Sequence, residues 1–272
     1  MKTKSKFLII ITLIFVTINV YLFVTAPVPL NQKGKIENYN YSVEEAFRVI
    51  AKLNDVTRTF YTKNIVGQGK DHGFEFDEDW KAKDVEAGPL PALFLRETAA
   101  FIEKTPVGLG LYLGSDYPIS QANLFSGVQA KKFQELKQDA QPRFFFDKNT
   151  NRNIGMFPDF ASANACVKCH NDHKDSPKKN WVLNDIMGAT TWSYAQDSLT
   201  TRELLNWIQS YKDGAIATYA KYLKEVNSFA SNPVPEIGSK WPNQGYFMPD
   251  KENFEDTISK LLSYEISKSF IK

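Results

Sequence analysis

The chain has 272 residues, 43% of them hydrophobic and 24% charged, close to the globular average, which excludes disorder and low complexity as its main character. Its 33 basic and 31 acidic residues include Lys2, Lys4 and Lys6 ahead of the first apolar run, and the rest of the chain is balanced in charge. A balanced body lacks the one-sided Lys and Arg excess that nucleic acid demands, so that partner class is excluded.

From Phe7 to Val24 the chain is apolar except for Thr12, Thr17 and Asn19. Behind three lysines this reads as an export signal, and its length approaches the roughly 20 residues of a bilayer-spanning helix. We read residues 1–26 as a signal anchor. Cleavage after Ala26 fits the small-residue rule, but Pro27 at the next position hinders the peptidase. No cysteine follows to carry a lipid. Lysines on the short side place that end in the cytoplasm and the bulk of the chain outside the inner membrane. Residues 27–41 read as an extended linker.

Ser42-Val43-Glu44-Glu45 has capping-box spacing and opens a helix with Ala46, Phe47, Ile50 and Leu53 on one stripe, predicted to run to about Tyr61. Gly67 to Gly88, rich in charge and glycine, reads as a loop, and its glycines lack the strand-to-helix setting of a phosphate cradle. Pro89-Leu90-Pro91 starts a second helix through Ile102. Val107 to Gly114 alternates with period two and predicts a strand, Ala130 to Gln138 a short helix, and Arg143–Asp147 with Asn153–Phe157 a hairpin. A loop carrying the cysteines precedes a last strand, Thr190 to Tyr194. Two helices, then strands and a hairpin, predict an α+β domain over 42–195, with an antiparallel sheet and flanking helices. Residues 196–272 read as a helical extension: Thr200 and Glu203 form another capping box before a helix through about Phe229, a connection from Asn232 to Pro249 holds Trp241, Tyr246 and Phe247, and a helix from Phe254 to Ile271 ends the chain.

The chemistry sits in Cys166-Val167-Lys168-Cys169-His170, holding the only two cysteines. C-x-x-C-H is the attachment signature of a c-type haem. Two thiols two residues apart reach the two vinyl groups on one side of a porphyrin, and the next residue sets an imidazole under the iron. We expect one haem c, tethered by Cys166 and Cys169 with His170 as proximal ligand. Thioether assembly takes place outside the cytoplasm, in agreement with the export signal. Three rivals use the same residues. A thioredoxin-type pair wants its first cysteine at a helix N-terminus after a strand, with a lowered thiol pKa. A zinc site over Cys166, Cys169, His170 or His173 lacks a second ligand cluster, since only His72 remains elsewhere. A disulfide across so short a loop contributes little.

The run Cys166 to His173, followed by Ser176-Pro177-Lys178-Lys179, Trp181 and Asp185-Ile186-Met187-Gly188-Ala189, resembles the c-type haem sensor family with a PAS-like fold. The Pro89 to Ala92 helix opening and the Ser115-Asp116-Tyr117-Pro118 corner are similar to it as well. The resemblance covers roughly residues 40–195. It implies a PAS-like sheet and an exported haem domain of the kind found alone or as the input of membrane kinases, cyclases and chemoreceptors. One type member takes a distant cysteine as sixth ligand, but this chain has no third cysteine. His72 is then the candidate distal ligand, Met156, Met187 and Met248 are the softer options, and an open site would permit gas binding. His173 stands too close to His170 to reach the opposite haem face. Lys178 and Lys179 are candidates to pair with the haem propionates, and Trp181, Trp192 and Tyr112 to pack on the porphyrin. The expected function is redox or small-ligand sensing at one haem, coupled to a separate partner protein because no output module follows. An electron-transfer cytochrome is the alternative, distinguished by the sixth position, and a peroxidase-like enzyme ranks lower because only His72 is available as its distal acid-base group.

Overall fold

The computed structural model describes residues 2–25, 39–230, 237–238, 240–242 and 248–270. The expected linker, apart from its last residues, together with Tyr246, Phe247 and Ile271, lies outside the described residues. The chain divides into two units, residues 1–39 and 40–272.

The first unit is a helix, α1 (Lys2–Thr25). Its described apolar side chains, Leu13, Ile14, Phe15, Val16 and Ile18 among them, are exposed. The two polar groups along it turn back onto their own helix: Thr17 Oγ1 donates to Leu13 O and Asn19 Nδ2 to Phe15 O, each at 2.8 Å. Among the described residues, no helix is long and apolar enough to cross a membrane; the side chains of residues 2–11 in α1 lie outside them.

In the second unit β1 (Asn40–Ser42) leads into α2 (Val43–Phe60). The capping box closes in both directions: Ser42 Oγ accepts from Glu45 N at 3.2 Å while Glu45 Oε2 accepts from Ser42 N at 2.8 Å. The helix does not stop near Tyr61. It continues as a π-helical stretch (Tyr61–Gly67) and a last short helix, α3 (Gln68–Asp71). Gly69 does not mark a loop there. A Cβ at Gly69 would lie 2.9 Å from the Phe76 ring, so the glycine provides close packing inside a helix. The wider π turn also keeps Tyr61, Ile65 and Val66 buried together.

A short parallel pair follows, β2 (Glu75–Asp77) with β3 (Ala87–Pro89), then α4 (Pro91–Ile102) with proline in its first turn. The main sheet comprises β4 (Gly110–Gly114), β5 (Arg143–Asp147), β6 (Arg152–Phe160) and β7 (Ile186–Tyr194), antiparallel throughout in the order β4-β7-β6-β5. The helix α5 (Gly127–Asp139) precedes the β5–β6 hairpin, and α6 (Asn164–Asp172) lies between β6 and β7. The mixed α+β class with antiparallel sheets and several helices is therefore as expected. β8 (Ser198–Thr200) pairs with β1 and leads into α7 (Thr201–Val226), opened by the Thr200–Glu203 capping box. The two-residue strands β9 (Ile237–Gly238) and β10 (Met248–Pro249) pair in parallel before α8 (Lys251–Phe270).

Alternation along the strands divides the side chains between two cores. One face of the sheet packs Phe125, Phe133, Leu136, Met156 and Ala189 beneath α5. The other belongs to the large core, where Gly155 lets the Phe47 ring lie directly on β6. Residues 196–272 supply much of that core: Trp207 of α7 stacks on Phe47 at 5.8 Å, and Phe254 of α8 stacks on Tyr219 at 3.9 Å.

Candidate functional site

The two cysteines sit on a helix, not in the loop that the sequence predicts. After β6 ends at Phe160, Ala163 is still extended (φ −146°, ψ 150°), and α6 begins at Asn164. The segment Asn164 to His170 contains no glycine or proline to interrupt a helix. Lys168 Nζ also meets Asp172 Oδ2 one turn on, at 2.5 Å. Helical spacing puts Cys169 three residues and His170 four residues after Cys166, so both thiols and the imidazole share one side. Both cysteines are free thiols.

This placement bears on the thiol-redox rival, because Cys166 lies in the first turn of a helix that follows a strand. The electrostatics work against it: desolvation pushes the Cys169 thiol up, with Lys70 opposing, whereas a nucleophilic pair needs its thiolate stabilised. Among the described residues no group of three or more His, Cys, Asp and Glu side chains is placed to hold a metal ion.

His170 is half-buried. Desolvation, followed by the neighbouring His173, pushes its imidazole below the ordinary histidine range, so it is neutral near pH 7 and carries the lone pair that ligation uses. Among the described residues its Nδ1 is buried without a hydrogen-bond partner, as is Trp181 Nε1. Buried polar atoms are nearly always partnered. Two free thiols with a neutral imidazole on the same helix side are the donor set of a c-type haem, and the orphaned indole N–H of Trp181 suits a group that brings acceptor oxygens. The residues therefore fit a c-type haem.

The loop after α6 is held back against it. Asn171 Nδ2 donates to Trp181 O at 3.0 Å and Trp181 N donates to Asn171 Oδ1 at 2.8 Å, a reciprocal amide pair that fixes Trp181 beside the motif. Ser176 Oγ donates to Lys178 O at 2.8 Å. Asn184, in the left-handed region at φ 71° that asparagine tolerates, donates its N–H to Ala161 O, and Ala161 N donates to Asp185 O. The Ser115 to Pro118 corner reaches the same place: Tyr117 packs edge-on to Trp181 at 6.3 Å, and Ser115 Oγ donates to Met187 O at 2.6 Å.

Of the other predicted residues, Lys178 lies within this loop, its Nζ 3.6 Å from the Trp181 ring centre and 3.5 Å from Asp185 Oδ2, while Lys179 is exposed. His72 is exposed at the end of α3, with Nδ1 2.7 Å from Gln68 O. Its segment faces α6: Lys70 acts on Cys169, and Glu78 Oε1 is 3.3 Å from His173 Nε2. Trp192 instead lies in the large core against Tyr211, and Tyr112 packs against Phe125 near α5. Met156 and Met248 are core residues.

A family model described as Tll0287-like matches residues 37–194, more than half of the chain. The chain belongs to the Tll0287-like family. This is a family associated with c-type haem, in agreement with the resemblance carried by the motif. No curated protein and no solved structure matches. The Tll0287-like region takes in every element from β1 to β7, and α7 and α8 lie beyond it.

Sequence reasoning missed several residues that shape this site. Arg58 Nη1 meets Asp159 Oδ1 at 2.7 Å and Thr190 Oγ1 at 3.3 Å, tying α2 to the end of β6 just before the motif. Burial works against the Arg58 charge, but Asp159 outweighs it and holds the guanidinium firmly protonated. No local pattern reveals a pair 101 residues apart. Asn171 was legible only as part of the motif's continuation, without a role.

Proposed function

We propose that this Tll0287-like protein is an exported, membrane-anchored haem c protein that senses redox state or a small ligand at one haem. The observation that carries the reading is the side of α6 on which Cys166, Cys169 and a partly buried His170, its imidazole pushed toward the neutral form, stand together. Cys166 and Cys169 would hold the group as thioethers, and His170 would ligate its iron. When bound, such a haem would supply reversible one-electron chemistry and affinity for small ligands. Asn171 holds the Trp181 loop beside the motif, and His170 keeps its lone pair because desolvation disfavours its cationic form. Lys178, Lys179 and the Trp181 indole offer donors to propionates. His72 is our candidate for the distal position: its ring is oriented by Gln68 on the segment that faces α6.

A sheet carrying helices on both faces supports a PAS-like fold. For α1, the exposed apolar side chains and the internally bonded Thr17 and Asn19 support an anchor in the inner membrane, with the larger unit on the outer side and a separate partner protein receiving the signal.

The test is a set of absorption spectra of the mature protein, oxidised, reduced and treated with carbon monoxide. Sensing predicts that carbon monoxide enters the reduced site and shifts its Soret band, and that His72→Ala turns a six-coordinate spectrum five-coordinate. A six-coordinate spectrum indifferent to carbon monoxide would assign the protein to electron transfer.

A further inference from the structure

A second site lies at the other end of β6 from the haem motif. Between the start of α5 and the face of β4, β6 and β7 that it covers is a cleft of about 220 Å³, lined by Tyr112, Ser126, Gln129, Arg152, Thr191 and Ser193 with Leu124, Thr150 and Ile154. That volume is below the range of drug-sized pockets and suits a molecule of a few heavy atoms. Thr191 is only 3% exposed, lines the cleft, and its Oγ1 has no hydrogen-bond partner among the described residues. A buried, unpartnered hydroxyl is costly unless something reaches it. Among the described residues Arg152 has no carboxylate partner: Nε donates to Ser193 Oγ at 3.0 Å, and Nη2 to Ser193 O at 3.0 Å and to Gly108 O. These bonds fix the guanidinium along the wall, and none of them uses Nη1. A Cβ at Gly110 would collide with Ser193 Oγ, so the glycine keeps this arrangement open. Tyr112 hydroxyl donates to Ala122 O at 3.0 Å. Gln129 Nε2 lies 3.4 Å from Asp147 Oδ2, and Asp147 Oδ1 accepts from Asn149 N at 2.9 Å.

We propose that this cleft binds a small organic carboxylate, mono- or dicarboxylate, with Arg152 as its charge partner and Thr191 as a hydroxyl donor to its oxygens. Among the described residues no acidic side chain lines the cleft, and guanidinium pairs with planar carboxylates in two-bond geometry. The site is independent of the haem reading, since its residues are remote in sequence from α6 and need no metal.

The experiment is a melting-temperature titration of the full-length protein with acetate, succinate, phosphate and sodium chloride at matched ionic strength. Acetate or succinate is expected to raise the melting temperature saturably. Thr191→Val, nearly isosteric, is expected to weaken that affinity about tenfold, the loss of one hydrogen bond, and Arg152→Gln to abolish it. Arg152→Lys separates charge from geometry: it retains the fold and part of the affinity. The proposal is overturned by a saturable shift that is equal in Thr191→Val and wild type, by no saturable shift with either carboxylate, or by phosphate binding more tightly than both. Unchanged haem spectra across these variants keep this outcome distinct from that of the haem site.

Discussion

At the scale of single residues the site depends on an amide. The side chain of Asn171 gives one hydrogen bond to Trp181 and takes one from it. Replacing it with alanine leaves two main-chain groups of Trp181 without their partners, at a cost of about 1–3 kcal/mol. Asn171→Ala is therefore expected to lower the melting temperature by several degrees and to broaden the haem Soret band as the Trp181 loop loosens. A variant with wild-type melting and spectrum would show that the loop is held by other contacts. The C-x-x-C-H spacing of Cys166, Cys169 and His170 is readable in the sequence as a haem-attachment pattern, because thioether chemistry demands a fixed spacing. Asn171 was less so, since an asparagine after a histidine has no chemistry of its own until the loop folds back on it.

Between elements, Glu97 of α4 joins the loop after β2 to α7, accepting from Lys81 and, at 3.0 Å, from Lys221. Burial raises its carboxyl and the two ammonium groups lower it, with a net displacement below the usual carboxylate range. A depressed folded pKa gives stability that is present above the unfolded value and is lost as the pH falls through the folded one. Glu97→Gln should therefore lower the melting temperature at pH 7, by an amount equivalent to about 0.5–1 kcal/mol because both lysines are half exposed. The gap from wild type should close once the pH is below the carboxylate range, and an equal gap at both pH values would refute the linkage. Elements that announce themselves by caps or alternation were legible: both capping boxes, the proline-opened α4 and the β5–β6 hairpin. The π-helical continuation of α2 and the helix under the cysteines were not. In the first, a glycine that serves close packing against Phe76, Gly69, looks like a loop residue, and in the second a nine-residue helix is too short to show a period.

For the whole molecule, the periodicity of α7 and α8 was legible but their destination was not, because an apolar stripe does not say which surface it covers. Trp207, Tyr211 and Tyr222 of α7 and Phe254 and Ile258 of α8 are buried in the core shared with α2 and α4. A chain ending at residue 195 would expose the facing surfaces of Phe47, Ile50 and Phe94, each a loss of roughly 1.5–3 kcal/mol of burial. The truncated protein is expected to lose its cooperative urea transition; a sharp transition at the wild-type midpoint would mean that residues 40–195 are self-sufficient. The central claim, a haem joined to α6, is tested most directly by the intact mass of the mature protein made in a host with cytochrome c maturation machinery. The account predicts the polypeptide mass plus one haem, reduced to the bare polypeptide when Cys166 and Cys169 are both changed to serine. A wild-type protein carrying no added mass, or a double-serine variant still carrying the haem covalently, would contradict it.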